Sequence, residues 1–152
     1  MSQALLEVRD LSVSFATRDG LVQAVKNLSF HIGPGEVLGV VGESGSGKTQ
    51  AAMAILGLMA DNGRVTGSIR FEGDELVGLR AARMNQIRGD RIAMVFQDPM
   101  TSLNPYLTIG TQMALVLKMH RNMTGAAARA ECVRLLDAVH ITDPASRLRM
   151  YP

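Results

Sequence analysis

The sequence predicts an α/β fold built around a phosphate-binding loop, and two observations support this prediction. The stretch at 42–49 reads Gly-Glu-Ser-Gly-Ser-Gly-Lys-Thr. It lies between a short apolar run at 37–41 and a helix-like stretch at 50–59. A strand, a glycine-rich loop and a helix in this order form a phosphate cradle. The glycines let backbone N–H groups point inward, and the helix adds its partly positive N-terminus at the same point.

The apolar pattern in the first part of the chain predicts strands. Apolar residues alternate from Leu6 to Phe15 and again from Val22 to Ile32, which is typical of half-buried strands. A tight turn is expected at Gly33-Pro34-Gly35. The continuous apolar run from Val37 to Val41 predicts a strand of a buried parallel sheet. A helix is expected after it, from Gly47 to Met59.

Beyond the loop, the pattern changes from strands to helices. Val65 to Phe71 alternates like a strand, Leu79 to Ile87 predicts a short surface helix, and Ile92 to Phe96 predicts a second buried strand. A connecting loop is expected at 97–107, where Pro99, Asn104 and Pro105 occur. Helical periodicity then recurs in three segments: Ile109 to His120, Ala126 to Val139, and a last one that starts at Asp143-Pro144 and runs to Met150.

Composition excludes several classes of protein. The chain has 152 residues, enough for about one domain, with 47% hydrophobic and 20% charged residues, as in folded globular proteins. A net charge of +2 with dispersed basic residues gives no reason to expect a nucleic-acid partner. The single cysteine, Cys132, excludes an internal disulfide and is expected to be a packing residue. No apolar stretch is long enough for a membrane-spanning helix, and no signal-peptide pattern is present.

A second motif narrows the prediction. Residues 95–105 read Val-Phe-Gln-Asp-Pro-Met-Thr-Ser-Leu-Asn-Pro. With the loop at 42–49, this stretch makes the chain resemble the ATP-binding subunit of an ABC transporter, in particular those of oligopeptide and dipeptide importers. The resemblance implies a P-loop NTPase fold with an N-terminal antiparallel β subdomain and a partial α-helical subdomain. It also implies a β-rich core at 1–96, a glutamine loop at 97–107 and the start of the helical subdomain at 108–152.

The resemblance also assigns roles to individual residues. ATP would be bound by the loop residues Gly42, Glu43, Ser44, Gly45, Ser46, Gly47, Lys48 and Thr49. The Lys48 ammonium would lie along the β- and γ-phosphates, and Mg²⁺ would contact the Thr49 hydroxyl and the Gln97 amide oxygen. Phe15 falls where the family stacks adenine on an aromatic ring, although it fits equally well as a core phenylalanine at the end of a strand. For Gln97 the alternative is an ordinary glutamine at the end of a strand.

The partners and the location follow from the same resemblance. The family's ATP-binding subunits act at the cytoplasmic face of the plasma membrane, as peripheral partners of integral-membrane permease subunits and of a second ABC ATP-binding subunit. Residues 97–123 would supply part of the permease-docking surface. The methionines at 100, 113, 119 and 123 suit an adaptable contact surface, because thioether side chains are flexible and polarisable. The alternative is that they fill gaps in the core, which we expect for Met113.

Three family motifs are missing from the sequence: the Leu-Ser-Gly-Gly-Gln type signature, an apolar strand that ends in Asp-Glu, and the later switch histidine. We therefore expect a truncated chain that binds ATP without efficient hydrolysis, and we assign no catalytic residue. The apolar segments at 37–41 and 92–96 are then expected to be exposed.

Two alternatives to this function remain open. One is a nucleotide-binding module without turnover. The other is a P-loop kinase or GTPase with Asp98 as its metal ligand, although no guanine-selecting Asn-Lys-x-Asp sequence occurs.

Overall fold

The computed structural model describes residues 4–98 and 102–152, in two compact units. The first unit extends to Asn85 and the second comprises Gln86–Pro152. The strands are β1 Leu6–Thr17, β2 Gly20–Ile32, β3 Gly63–Phe71 and β4 Asp74–Glu75. The helices are α1 Lys48–Ile55, α2 Ala81–Ile87, α3 Ile109–Arg121, α4 Gly125–Ala138 and α5 Pro144–Arg147.

The first unit is built on an antiparallel four-stranded sheet in the order β2-β1-β3-β4. Val8 of β1 pairs with Phe30 of β2 on one side and with Ile69 of β3 on the other. Val8, Leu11 and Val13 are almost completely buried, as is Ile69. The alternation seen in the sequence therefore marks the core-facing side of β1, as predicted.

A bulge interrupts the alternation in β1. Consecutive apolar residues are two positions apart except between Val8 and Leu11, where the spacing is three. The pairing of β1 with β2 shifts register at this step, and Asp10 has a φ of 49°. The Asp10 amide donates to Ser29 Oγ over 2.8 Å, which gives the displaced backbone a partner. The extra residue keeps Val8 and Leu11 on the same buried face.

Helix α1 is shorter than the sequence predicts, because it ends at Ile55 and not at Met59. Gly57 has a φ of 60°, the left-handed conformation in which many helices stop. The Leu58 amide donates to the Met53 carbonyl over 2.9 Å, so the released backbone groups find partners in the turn. The helix contacts β1 and β2, and its Ala51 and Ala54 are buried.

The prediction of strands at 37–41 and 92–96 is wrong for this structure. Residues 37–41 form no strand, and Ile92 makes only an isolated bridge with Arg88. The physical reason is that a strand needs a hydrogen-bonded neighbour, and the described residues offer neither segment a ladder. Apolar side chains are consequently exposed: Val37 to 94%, Val41 to 93% and Val95 to 88%.

In the second unit, α3, α4 and α5 enclose a small apolar core. Leu117, Ala128, Cys132 and Leu148 are buried in it, and Met113 and Met123 pack against it. The packing predictions for Cys132 and Met113 are confirmed. Met119 is 72% exposed, and Met100 lies outside the described residues.

The start of α3 is tied to the end of α5. The side chain of Thr108 caps α3 by accepting a hydrogen bond from the Thr111 amide. The amides of Ile109 and Gly110 donate to the carbonyls of Met150 and Leu148, each over 2.9 Å. These bonds satisfy N–H groups that have no partner inside the helix. The segment that leads to Met150 is therefore ordered, although α5 itself ends at Arg147.

Candidate phosphate-binding site

The loop at 42–49 closes around the ammonium group of Lys48. Lys48 Nζ donates to the Gly42 carbonyl over 2.7 Å, to the Glu43 carbonyl over 2.6 Å and to Ser46 Oγ over 3.2 Å. An ammonium has three donors, and each has an acceptor inside the loop. These hydrogen bonds fix the positive charge of the half-buried Lys48 against the backbone of the loop.

Two glycines set the path of the loop. Gly45 and Gly47 have φ values of 80° and 91°, which side-chain-bearing residues rarely adopt. At Gly47 a second constraint applies, because an added Cβ would stand 2.2 Å from the carbonyl oxygen of Ala24. The end of the loop is thus pressed against β2, which fixes where α1 begins.

The N-terminus of α1 has no side-chain cap. Its N-cap residue is Gly47, no side chain of residues 4–98 or 102–152 caps it, and its first turn contains no acidic residue. The first N–H groups of an α-helix lack partners within the helix, and the helix dipole makes this end partly positive. An anion placed here would accept hydrogen bonds from these amides and would be attracted by the fixed charge of Lys48. The chemistry of the loop therefore fits the phosphates of a nucleotide.

Thr49 is the residue that could bring a metal ion to these phosphates. It lies exposed in the first turn of α1, and hydroxyl oxygens are suitable ligands for Mg²⁺. Among the described residues, no group of three or more histidines, cysteines, aspartates and glutamates could hold a metal ion. Mg²⁺ commonly binds through few protein ligands together with substrate phosphates and water. Thr49 fits that mode of binding.

The other two predicted site residues lie away from the loop in sequence. Phe15 is half-buried near the end of β1, where it pairs with Val22, and a Cβ at Gly63 would lie 3.1 Å from its ring. A half-buried ring suits both base stacking and core packing, so both alternatives for Phe15 stay open. Gln97 belongs to the second unit and is exposed. Its contact with Mg²⁺ stays a prediction.

Sequence reasoning missed the backbone groups that build the site. The carbonyls of Gly42 and Glu43 accept from Lys48, and the Ala24 carbonyl forms the wall behind Gly47. The motif gives a signal for the first two, because they are part of the loop. No signal in the sequence connects Ala24 with Gly47, since that contact depends on how β2 pairs with β1.

The comparison with protein families decides which family the chain represents. The family model described as ABC transporter matches residues 25–151. The chain belongs to the ABC transporter family. Among curated members of this family, it is 52% identical over 151 residues to the oligopeptide transport ATP-binding protein OppD of Escherichia coli. It is 53% identical over 148 residues to the protein of the same name from Haemophilus influenzae. The predicted resemblance to oligopeptide-type ATP-binding subunits is confirmed.

These alignments cover nearly all of this chain but less than half of each relative. The match to the E. coli relative covers 99% of this chain and 45% of the relative, and the match to the H. influenzae relative covers 97% and 46%. The chain thus spans less than half the length of these curated relatives.

Solved structures support the family assignment at the level of the fold. The dimeric structure of MJ0796, a bacterial ABC transporter cassette, matches with a TM-score of 0.79 and 23% identity, over 96% of this chain and 60% of that chain. MJ0796 bound to ADP and Pi matches with a TM-score of 0.76 and 24% identity, over 97% of this chain and 61% of that chain. The predicted fold class is confirmed, as an ABC cassette fold with an antiparallel β subdomain and helices. Within the part of the chain that the structure describes, no helix has the length and hydropathy to cross a bilayer.

Proposed function

We propose that this chain binds MgATP through Gly42–Thr49 as part of the ATP-binding subunit of an ABC importer for oligopeptides or dipeptides. One observation carries the nucleotide assignment. The uncapped N-terminus of α1 adjoins a lysine ammonium that the loop carbonyls hold in place. This pairing of helix amides with a fixed positive charge favours a polyanion such as a triphosphate.

Each predicted site residue has a role in this proposal. Backbone amides of the loop contact the phosphates, and Lys48 balances the charge of the β- and γ-phosphates. Mg²⁺ would be held by the Thr49 hydroxyl, and the Gln97 amide oxygen stays a predicted further ligand. Phe15 offers one face of its ring to adenine, since aromatic rings stack on bases with little dependence on the base. Mg²⁺ would supply charge neutralisation between neighbouring phosphate oxygens.

We further propose that this chain holds ATP without efficient turnover. Phosphoryl transfer to water needs a group that positions the water and, in many P-loop proteins, an acidic residue that helps to hold Mg²⁺. No apolar run in the 152 residues leads into Asp-Glu. Hydrolysis by the chain alone is therefore expected at background level, while binding is retained.

The transport role rests on similarity to the relatives. Those at 52% and 53% identity are named oligopeptide transport ATP-binding proteins, and the MJ0796 cassette forms a dimer. By analogy, the partners of this chain are integral-membrane permease subunits and a second ATP-binding subunit. Such an assembly would hold the chain at the cytoplasmic face of the plasma membrane.

Isothermal titration with MgATP tests the nucleotide site. We expect Lys48→Ala to weaken binding at least tenfold, which corresponds to about 1.4 kcal/mol. Lys26→Ala is the matched control, because Lys26 is an exposed lysine of the same unit on β2, outside the loop. GTP is expected to compete no better than ATP, whereas a marked preference for GTP would favour the GTPase alternative. Equal MgATP affinity of the parent chain and Lys48→Ala would refute the site.

A further inference from the structure

The turn that follows α1 is fastened to β1 beside Phe15. The Ala16 amide donates to the Asn62 carbonyl over 3.0 Å, and Asn62 Nδ2 donates to the Ala16 carbonyl over 2.9 Å. Asn62 thus binds both backbone groups of one residue. The Gly63 amide donates to the Ala60 carbonyl over 2.8 Å, which closes the turn. Because these bonds hold β1 at Ala16, the backbone next to Phe15 has a fixed position.

The ring of Phe15 occupies the space that a side chain at Gly63 would need. Phe15 and Gly63 are partners in the pairing of β1 with β3. A Cβ at Gly63 would stand 3.1 Å from Phe15 Cε1. It would also stand 3.2 Å from Met59 Cε and 3.0 Å from the Ala60 carbonyl oxygen, all closer than ordinary van der Waals contact. The φ of Gly63 lies outside the left-handed region, so these contacts, and not the backbone conformation, require a glycine here.

Phe15 lies at a suitable distance from the phosphate-binding loop for a nucleoside to reach both. Val22 of β2 is the partner of Phe15 in the other pairing of β1. Two residues further along β2 is Ala24, whose carbonyl lies against Gly47. Two residues of a strand span about 7 Å and neighbouring strands lie about 5 Å apart, so the backbones of Phe15 and Ala24 are about 9 Å apart. A ribose and a base can span this distance from phosphates bound at the start of α1.

We propose that Asn62 and Gly63 are positioning residues that fix the Phe15 ring in the orientation that stacks on the base of a bound nucleotide. The proposal rests on the MgATP site proposed above and adds to it two residues that determine how strongly the base is held. Gly63 leaves the space that the ring occupies, and Asn62 fastens the adjacent backbone. A ring that is fixed before binding loses little side-chain entropy when the base arrives, so its stacking contributes more to affinity.

Isothermal titration of the full chain with MgATP and with magnesium tripolyphosphate separates the base from the phosphates. Tripolyphosphate has three phosphates and no base, so only MgATP reports on the ring. We expect Gly63→Ala to weaken MgATP binding at least fivefold and to leave the affinity for tripolyphosphate unchanged, because the added methyl group displaces the Phe15 ring. Equal weakening of both ligands would overturn the positioning role.

Gly39→Ala is the matched control for this substitution. Gly39 is a glycine of the same unit whose φ also lies outside the left-handed region. None of the described residues beyond its chain neighbours lies within 4 Å of a Cβ added there. Gly39→Ala should therefore leave the affinities for MgATP and tripolyphosphate unchanged.

A double-mutant cycle with Phe15→Leu shows whether Gly63 acts through the ring. We expect Phe15→Leu alone to weaken MgATP binding at least fivefold. Adding Gly63→Ala to it should cause no further loss, because leucine has no ring atom for the methyl group to displace. If Gly63→Ala weakens MgATP binding as much in the Phe15→Leu background as in the parent chain, the positioning role is wrong.

Asn62→Ala gives the same test if Gly63→Ala does not fold. It removes the side-chain bond to Ala16 and keeps the space at Gly63. At least threefold weaker MgATP binding, absent in the Phe15→Leu background, supports the proposal, and unchanged binding overturns it. If Phe15→Leu binds MgATP as the parent chain does, the ring does not stack on the base and the positioning role fails, while the phosphate site stands. If the parent chain binds neither ligand, the MgATP site fails and the positioning role fails with it.

Discussion

Gly47 lies directly against the backbone of Ala24, and this contact joins the phosphate-binding loop to the sheet. A Cβ at Gly47 would stand 2.2 Å from the Ala24 carbonyl oxygen, far inside normal contact distance. Gly47 is also the N-cap of α1. The close approach therefore determines both the direction of α1 and the place where its amides meet an anion.

Replacing Gly47 should damage the fold more than replacing Gly45. Both residues have positive φ values, so alanine at either site adds strain of about 1–2 kcal/mol. Only at Gly47 would the added Cβ also meet backbone atoms, because nothing lies within 4 Å of a Cβ at Gly45. We expect Gly47→Ala to lower the free energy of unfolding by at least 1 kcal/mol more than Gly45→Ala does. Urea unfolding measures the difference, and equal losses would contradict the close contact.

Glu75 should make stability depend on pH. Partial burial raises the pKa of Glu75, but hydrogen bonds from the Ser68 hydroxyl and the amides of Ile69 and Val77, together with the charge of Arg70, lower it below the ordinary value of 4.5. A carboxyl whose pKa is lower in the folded state stabilises the fold above its unfolded pKa. This contribution is lost as the pH falls through the folded pKa.

The matching variant for this effect is Glu75→Gln. At pH 7 we expect it to reduce the free energy of unfolding by roughly 1 kcal/mol, through loss of a charged acceptor. The gap between variant and parent should shrink as the pH is lowered below 4.5, because the parent carboxyl then becomes neutral as well. Denaturant unfolding at several pH values measures this gap. A gap that stays constant over that range would rule out a depressed Glu75 pKa.

Cys132 should react with thiol reagents only when the second unit opens. Its side chain is almost completely buried, and burial, together with the neighbouring charge of Glu131, raises the pKa of the thiol. Thiolate is the reactive form, so both effects slow the reaction. We expect slow labelling by Ellman's reagent in buffer and rapid labelling in urea. Complete labelling within the mixing time in buffer would show that the core around Cys132 is not packed as described.

The exposed valines should drive association of the chain. Val37 and Val41 are 94% and 93% exposed, and apolar surface of this kind favours contact between copies. Threonine has nearly the volume of valine and a hydroxyl in place of one methyl. We expect the Val37→Thr/Val41→Thr double variant to associate less in sedimentation experiments than the parent, whereas Val22→Thr on β2 should have little effect. A parent chain that stays a monodisperse monomer and melts cooperatively would contradict this expectation.

The sequence predicts elements correctly where the information is local. Alternation marks β1, and helical periodicity marks α3 and α4. The loop at 42–49 is recognisable because its glycines and lysine occur at fixed spacing. In all these cases the residues that determine the structure are close together in the chain.

Prediction fails where a distant partner decides the outcome. The apolar runs at 37–41 and 92–96 have strand composition, but the described residues give them no neighbour to pair with. The Ala24 carbonyl behind Gly47 depends on strand pairing, and the hold of Asn62 on Ala16 depends on how the turn after α1 meets β1. The end of α1 at Ile55 lies between these two cases. Gly57 is a local stop signal in the sequence, but the apolar pattern of the helix continues beyond it to Met59.

Hydrogen exchange at the loop amides in the presence of MgATP tests the central claim most directly. If the phosphates of ATP are bound by the loop and by the first turn of α1, saturating MgATP should slow exchange at the amides of Gly45 to Thr49. The same concentration of MgATP should slow exchange less at the corresponding amides of Lys48→Ala. Exchange at these amides of the folded parent chain that is the same with and without MgATP would contradict the account.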